Sequence, residues 1–120
     1  QFLLGQAAMN VNEGLPNYIV NKLKKEHDLE KKQVGILGMA FKADVDDIRD
    51  SLSYKLGKIL RFEGAEVLYS DEFAQNPNFV SKEELIELSD IIIIGSPHTA
   101  YRGLTINSDV TVIDLWKIIK

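Results

Sequence analysis

Cysteine is absent from this chain of 120 residues. The chain therefore supplies no disulfide, no zinc–thiolate site and no thiol nucleophile, which fits the cytoplasmic origin that we expect. It also lacks any apolar run close to the roughly 20 residues that a membrane helix requires, and it shows no signal peptide. Its net charge of −4 is a balance of both signs spread along the chain. We therefore expect neither a membrane nor a nucleic acid as a partner.

A methionine is missing from the first position, and the chain opens within a predicted helix, so we expect a fragment of a longer protein. Residues 1–25 are predicted to be helical because apolar side chains recur close to the helical period. Gly14 and Pro16 interrupt this pattern. Because a proline removes a backbone donor, the sequence predicts a kink or two helices that meet there. Residues 26–32 form a charged connector.

Short apolar strands and amphipathic helices alternate through the rest of the chain. The predicted strands are 33–37, 65–69, 90–94 and 110–115, and the predicted helices are 51–63 and 81–88. Asp50 or Ser51 would cap the first of these helices, and Gly64 would end it. Ser81 and Glu84 have the spacing of a capping box at the start of the second. This order predicts βαβ units with right-handed crossovers.

The predicted fold class is α/β, a doubly wound parallel sheet preceded by an N-terminal helix. The strand at 90–94 is apolar after Asp90, with isoleucine at all four following positions. Such continuous apolar strands are typical of parallel sheets, whose strands are buried on both faces. Ligands of such sheets bind beyond the carboxyl ends of the strands. We expect the functional site at that edge. The residues predicted to lie there are 38–49, 70–71, 95–101 and 115–117.

The turn after the first strand, residues 35–41, reads Gly-Ile-Leu-Gly-Met-Ala-Phe. It does not have the spacing G-x-G-x-x-G, and a polar loop follows where that fingerprint requires the N-terminus of a helix. The simplest interpretation is a strand that ends at a glycine and continues into a loop. The turn is therefore a poor site for the pyrophosphate of a dinucleotide.

Two cations, Lys42 and Arg49, flank that loop at the expected ligand edge. A lysine is a compact charge suited to a phosphate, an arginine offers a planar fork, and Phe41 could present a flat face to a base. The alternative is that both cations only pair with the four aspartates of the loop, which are Asp44, Asp46, Asp47 and Asp50. These aspartates lack the spacing of a calcium loop, so we predict no metal site.

Other polar residues of the same edge have competing interpretations. His98 could be a general base or a phosphate donor, although such a histidine is more often a loop residue bonded to the backbone. Tyr101 and Arg102 share its loop and could contact a ligand. Asp71 is a candidate phospho-acceptor of a response-regulator-like domain, but its surroundings do not otherwise match one. No serine has the context of a nucleophile elbow, and we predict no catalytic residue in this chain.

Two motifs resemble the G-x-x-F-K…D-x-R-x-S signature of the UDP-glucose/GDP-mannose dehydrogenases, in their carboxy-terminal UDP-binding domain. These motifs are Gly35–Lys42 and Asp46–Ser51. Later segments are similar to that family in order and spacing, and they are 64–67, 70–71, 90–98 with Tyr101, and 112–116. Residues 7–12 with Leu15 and Pro16 resemble the end of the family's central dimerisation helix. Gly-Ser-Pro-His at 95–98 and Asp-Leu-Trp at 114–116 look most like the branch that acts on UDP-N-acetylhexosamines.

The resemblance implies an NAD-dependent nucleotide-sugar 6-dehydrogenase, which oxidises the C6 alcohol of a UDP-sugar to a carboxylate in two hydride transfers. Residues 1–32 would be the end of the central dimerisation helix and a connector, and residues 33–120 a Rossmann-like UDP-sugar-binding domain. The positions that match Phe41 and Lys42 contact the sugar nucleotide. The position that matches Arg49 reaches towards NAD, which is bound mainly by an amino-terminal domain. We expect the whole enzyme to be a homodimer.

The chain also departs from the family pattern. The family's catalytic cysteine and its amino-terminal NAD fingerprint are not in these residues, so the resemblance implies that this fragment alone is inactive. Many relatives carry a substrate-contacting arginine soon after the last strand, where this chain has Lys117. A second hypothesis therefore stays open, namely a non-catalytic Rossmann-like module that binds nucleotide or regulates another protein.

Overall fold

The structure is a computed structural model that describes residues 4–39, 52–96 and 98–114, with side chains described from residue 14 onward. The helices are α1 (Leu4–Glu26), α2 (Leu52–Phe62) and α3 (Lys82–Leu88), and a short 3₁₀ helix spans Thr99–Tyr101. The strands are β1 (Gln33–Leu37), β2 (Glu66–Ser70), β3 (Ile91–Ile94) and β4 (Thr111–Ile113). The predicted order of helices and strands is confirmed.

The four strands form one parallel sheet in the order β2-β1-β3-β4. From β1 the chain passes through α2 to β2 on one side, and it then crosses through α3 to β3 on the other side. Because right-handed crossovers in opposite directions place their helices on opposite faces, α2 and α3 cover different faces of the sheet. The predicted doubly wound parallel sheet is therefore confirmed.

Two hydrophobic cores follow from the alternation of side chains along the strands. On one face, side chains of β1 and β3 pack with α1 and α2, and the fully buried members are Val34, Ile36, Met39, Leu56, Leu60 and Ile93. On the opposite face, the buried residues are Leu37, Leu85, Ile92, Ile94 and Tyr101. β3 is buried along its whole length, as the all-apolar sequence predicts.

Helix α1 runs without interruption through Pro16, so the predicted alternative of two separate helices is wrong. Its second half carries Ile19, Val20 and Leu23, which are nearly fully buried in the same core as α2 and the sheet. This burial stabilises the helix on the far side of the proline, where one backbone hydrogen bond is lost. Across the described residues, no helix combines the length and apolar character that a membrane crossing requires.

The helix ends agree with the predicted caps where they are described. The Ser81 hydroxyl accepts a 3.0 Å hydrogen bond from the backbone N–H of Glu84, which is the serine half of the predicted capping box. Gly64 ends α2 with φ of +95°, and its N–H donates to the carbonyl of Arg61. The predicted cap of α2 at Asp50 or Ser51 lies outside the described residues.

Candidate functional site

The carboxyl ends of all four strands meet at one edge of the sheet, because the strands are parallel. Gly38 follows β1, Asp71 follows β2, Gly95 follows β3 and Asp114 follows β4. The N-terminus of α2 lies at the same edge, since the hydroxyl of Ser53 in its first turn donates to the carbonyl of Gly38. This edge is the position that the strand pattern predicts for a ligand.

The predicted binding residues Phe41, Lys42 and Arg49 lie outside the described residues, as do the four aspartates between 44 and 50 and also Lys117. The described chain stops at Met39 and resumes at Leu52. Both of these ends lie at the carboxyl edge, next to Gly38 and Ser53 respectively. The described residues on either side of the segment that carries the three predicted residues therefore lie at the expected edge.

One buried carboxylate organises the described part of this edge. Asp71 Oδ1 accepts from the Met39 N–H at 2.6 Å and lies 2.8 Å from Nε2 of His98. Asp71 Oδ2 accepts from the N–H groups of Phe73 at 2.9 Å and of Ala74 at 2.7 Å. We call these five residues the Asp71 cluster. It joins the chain after β1, the turn after β2 and the loop after β3.

The hydrogen bonds of the Asp71 cluster decide the charge of its carboxyl group. Burial raises the pKa of Asp71, but the hydrogen bonds from three backbone N–H groups and from His98 outweigh it, so the pKa lies below its ordinary value of 3.8. An ionised carboxylate can only accept hydrogen bonds, so Nε2 of His98 must carry the shared proton. Burial raises the pKa of Tyr54 in the first turn of α2, and the negative charge of Asp71 raises it further.

The side chain of His98 is buried beneath the carboxyl edge of the sheet. Its side chain and that of Asp71 are each 0% exposed. The imidazole lies between two aromatic rings, with centroids 4.9 Å from Phe73 and 5.4 Å from Tyr101. The described bond of its ring is to a carboxylate, which neither sequence interpretation of this histidine included. Because the ring is covered on these sides, it does not reach the surface as a general base or phosphate donor would need to.

The other two candidate residues of this loop, Tyr101 and Arg102, differ in their exposure to solvent. Tyr101 is fully buried in the core beneath α3, so the expectation that it contacts a ligand is not supported. Its pKa is raised by burial and then by the charges of Asp71 and Glu72. Arg102, the next residue, is exposed. Phe73 is 45% exposed and is the only large apolar side chain of the Asp71 cluster that reaches solvent.

Close backbone contacts join the turn after β1 to the loop after β3. Gly38 has φ of +95°, and a Cβ at this position would lie 2.6 Å from the amide nitrogen of Ser96. Its carbonyl accepts from Ser53, whose side chain is fully buried. The glycine is therefore required both by its backbone conformation and by the approach of Ser96.

The described residues suit binding and positioning better than chemistry. Among them, no group of three or more His, Asp or Glu side chains converges in a way that could hold a metal ion. The buried acid and imidazole are bonded to each other and to the backbone, which leaves neither exposed at the edge. The Met39 N–H, a donor in the first βα turn, is bonded to Asp71. This donor is therefore not available to a dinucleotide pyrophosphate, and the rest of the turn lies outside the described residues.

The pairing of Asp71 with His98 was not predicted from the sequence, although both residues were singled out. Each follows a strand, which placed both at the same edge. Their contact depends on the strand order, because β2 and β3 flank β1 and the two side chains meet over its end. The hydroxyl bond of Ser53 was missed for the same reason. A serine in a first helical turn gives no sequence signal of a partner in another loop.

The comparisons with known proteins all indicate the same family. Residues 35–120 match the UDP-binding domain of the UDP-glucose/GDP-mannose dehydrogenase family. The chain is 33% identical over 100 residues to the UDP-N-acetyl-D-mannosamine dehydrogenase of Methanocaldococcus jannaschii, covering 82% of this chain and 23% of that protein. It is 42% identical over 69 residues to the UDP-glucose 6-dehydrogenase AglM of Haloferax volcanii, covering 58% of this chain and 16% of that protein.

A solved structure agrees in fold as well as in sequence. The UDP-glucose dehydrogenase of Pyrobaculum islandicum is 27% identical and superimposes with a TM-score of 0.73, covering 91% of this chain and 28% of that one. The chain thus spans about a quarter or less of the length of the two curated relatives described above. The matched region contains β2, β3, β4 and β1 from Gly35 onward, and it also spans the undescribed segment between Met39 and Leu52.

Proposed function

The chain belongs to the UDP-glucose/GDP-mannose dehydrogenase family, and on that premise we propose that it is the carboxy-terminal, substrate-binding part of an NAD-dependent nucleotide-sugar 6-dehydrogenase. The observation that carries the proposal is the match of residues 35–120 to the family's UDP-binding domain. The whole enzyme would oxidise the C6 alcohol of a UDP-sugar to the uronic acid. Its relatives are named for UDP-glucose and for UDP-N-acetyl-D-mannosamine, so the identity of the sugar stays open.

Phe41 and Lys42 are the proposed substrate-binding residues. The ammonium group of Lys42 would neutralise charge on the UDP pyrophosphate, and the ring of Phe41 would lie against the nucleotide. Arg49 is proposed to reach towards NAD in the cleft between domains. Support comes from the described neighbours of this segment, Met39 and Leu52, which lie at the carboxyl edge of the sheet.

NAD is proposed to be held mainly by an amino-terminal domain outside this chain. The described residues after β1 favour this division, because the Met39 N–H is bonded to Asp71 and Ser96 fills the space beside Gly38. Bound NAD would supply the hydride acceptor. This chain would contribute the surface that holds the UDP-sugar, and it has no cysteine for a covalent step. We propose a cytoplasmic enzyme with no nucleic acid or membrane partner.

The proposed domain division places residues 1–32 at the end of a central dimerisation helix and connector, and residues 33–120 in the UDP-sugar-binding domain. Tyr18 on α1 is 63% exposed, and its neighbours Ile19 and Val20 are buried against the sheet domain. We propose a homodimer for the whole enzyme. Gel filtration tests whether α1 is sufficient for this: a dimer of the 120-residue chain supports it, and a clean monomer shows that further residues are needed.

The test of the proposed function is an NMR titration of the chain with UDP, and with GDP as a comparison. Saturable shifts of amides at the carboxyl edge, including Met39 and Asp71, are expected with UDP and are expected to weaken in Lys42→Ala. The matched control is Lys32→Ala, because Lys32 immediately precedes β1 and lies at the opposite edge, about 16 Å away for a five-residue strand.

Two outcomes would contradict parts of this proposal. If Lys42→Ala and Lys32→Ala weaken UDP binding equally, Lys42 does not hold the nucleotide. If UDP causes no saturable shift up to millimolar concentration, the chain is better described as a non-catalytic module that has lost nucleotide binding.

A further inference from the structure

Asp71 and His98 approach each other from opposite sides of β1. The strand order β2-β1-β3 places the residues that follow β2 and β3 on either side of the end of β1. The two side chains meet there, and the same oxygen of Asp71 also accepts the N–H of Met39. One carboxylate oxygen therefore ties the backbone after β1 to an imidazole from the β3 loop. Met39 and His98 therefore share one acceptor.

The surroundings make this connection stiff. Both side chains are fully buried, so water does not compete for the two hydrogen bonds of the shared oxygen. The imidazole is held between the rings of Phe73 and Tyr101. The backbone N–H of His98 also donates to the carbonyl of Ser96 at 2.9 Å. His98 thus has a fixed position, and its described side-chain hydrogen bond at the ligand edge is the one to Asp71.

We propose that His98 is a positioning residue for the UDP site. Acting through Asp71, it fixes the backbone at Met39, which leads directly into Phe41 and Lys42 two and three residues later. This inference rests on the proposed function, because it assigns His98 a role in nucleotide binding without contact with the nucleotide. It predicts that UDP affinity depends on the Nε2–H group of a histidine that the ligand does not touch.

A pair of amide substitutions tests the proposal. His98→Gln places its side-chain nitrogen as many bonds from the backbone as Nε2, so it can still donate to Asp71. His98→Asn is one methylene shorter and does not reach. Leu29→Ala is the control for stability, because Leu29 is buried at the amino edge and its truncation destabilises the fold away from the site.

Two quantities are measured, the dissociation constant for UDP and the hydrogen exchange of the Met39 amide relative to that of Ile36 within β1. In His98→Asn, both are expected to rise about tenfold, as is typical when one charge-assisted hydrogen bond is lost. In His98→Gln and Leu29→Ala, both are expected to stay within about twofold of the unsubstituted chain. Rescue by glutamine but not by asparagine would be specific to the hydrogen bond, since a purely structural role would follow stability alone.

The unsubstituted chain gives a second test that does not depend on the folding of any variant. Saturation with UDP is expected to shift the Nε2–H resonance of the buried His98. Equal UDP affinities in the two His98 variants, or an unshifted His98 resonance at saturation, would overturn the positioning role. Failure of the proposed function is distinguishable, because the unsubstituted chain would then not bind UDP, while the exchange of the Met39 amide would still report the link to His98.

Discussion

The hydroxyl of Ser53 donates a hydrogen bond to the carbonyl of Gly38, and this bond joins the first turn of α2 to the end of β1. The two residues are 15 positions apart, and the segment between them carries Phe41, Lys42 and Arg49. The bond therefore holds together the described residues that precede and follow the proposed nucleotide-binding segment. The carbonyl of Gly38 can use a serine hydroxyl here because the side chain of Ser53 is fully buried beside it.

Ser53→Ala is expected to lower the free energy of unfolding by about 1–3 kcal/mol, because the Gly38 carbonyl would lose a buried donor. Urea denaturation measures the change. Ser108→Ala is the matched control, since Ser108 is exposed in the turn before β4, and it is expected to change stability by less than about 0.5 kcal/mol. Equal stability of the two variants would show that the bond contributes nothing net.

Comparing Gly38→Ala with Gly103→Ala separates the cost of backbone strain from the cost of a steric clash with a neighbouring loop. Both glycines have positive φ, but a Cβ at Gly38 would lie 2.6 Å from the Ser96 nitrogen, whereas a Cβ at Gly103 meets nothing within 4 Å. Gly103→Ala is expected to cost only the strain, about 1 kcal/mol, and Gly38→Ala about 3 kcal/mol or more. Thermal unfolding of both variants tests this. Similar losses would mean that the loop after β3 moves aside freely.

Two helical glycines are expected to respond to alanine in opposite directions. Gly14 is exposed within α1 and has open space around it, so Gly14→Ala should raise the free energy of unfolding by about 0.5–1 kcal/mol. Gly57 in α2 packs under Tyr69, whose Cζ would lie 2.8 Å from an added Cβ, so Gly57→Ala should lower it by about 1–3 kcal/mol. Urea denaturation of both variants decides the signs, and a loss in Gly14→Ala would contradict a continuous α1.

Much of the fold was readable from the sequence, because its signals are local. The apolar strand at 91–94, the cap at Ser81 and the glycine after α2 each lie within a few residues of the structure that they determine. The parallel arrangement follows from the alternation of strands and helices, and it also places the ligand edge. The continuity of α1 through Pro16 could not be read in this way, because it depends on packing against α2.

The interior of the candidate site could not be predicted, because it depends on the strand order. Asp71 and His98 are 27 residues apart, and they meet only because β1 lies between β2 and β3. The sequence supplied an acid and a histidine at the correct edge. It gave no measure of burial, which is what turns a possible general base into a residue that acts through its partner. The predictions for Phe41, Lys42 and Arg49 remain predictions.

The charge of Asp71 makes a prediction about acid stability. Its pKa in the folded chain is below the ordinary value of 3.8, so the unfolded chain binds protons more readily in this range, and stability must rise with pH. The contribution of Asp71 is fully present above the unfolded pKa and is lost as the pH falls through the folded pKa. Tyr54, His98 and Tyr101 face the same carboxylate, and both tyrosines have raised pKa values, far above this window.

Asp71→Asn removes the titrating group while keeping its shape, and its amide must turn an N–H₂ towards donors that already point at it. Near pH 7 we expect a loss of about 3 kcal/mol in the free energy of unfolding. The difference from the unsubstituted chain should shrink as the pH falls below about 4, since protonation removes the same charge from the natural residue. Leu29→Ala is the control, because it loses no titrating group and its difference should not change with pH. A difference for Asp71→Asn that stays constant down to about pH 2 would mean that the carboxylate is not stabilised by its hydrogen bonds.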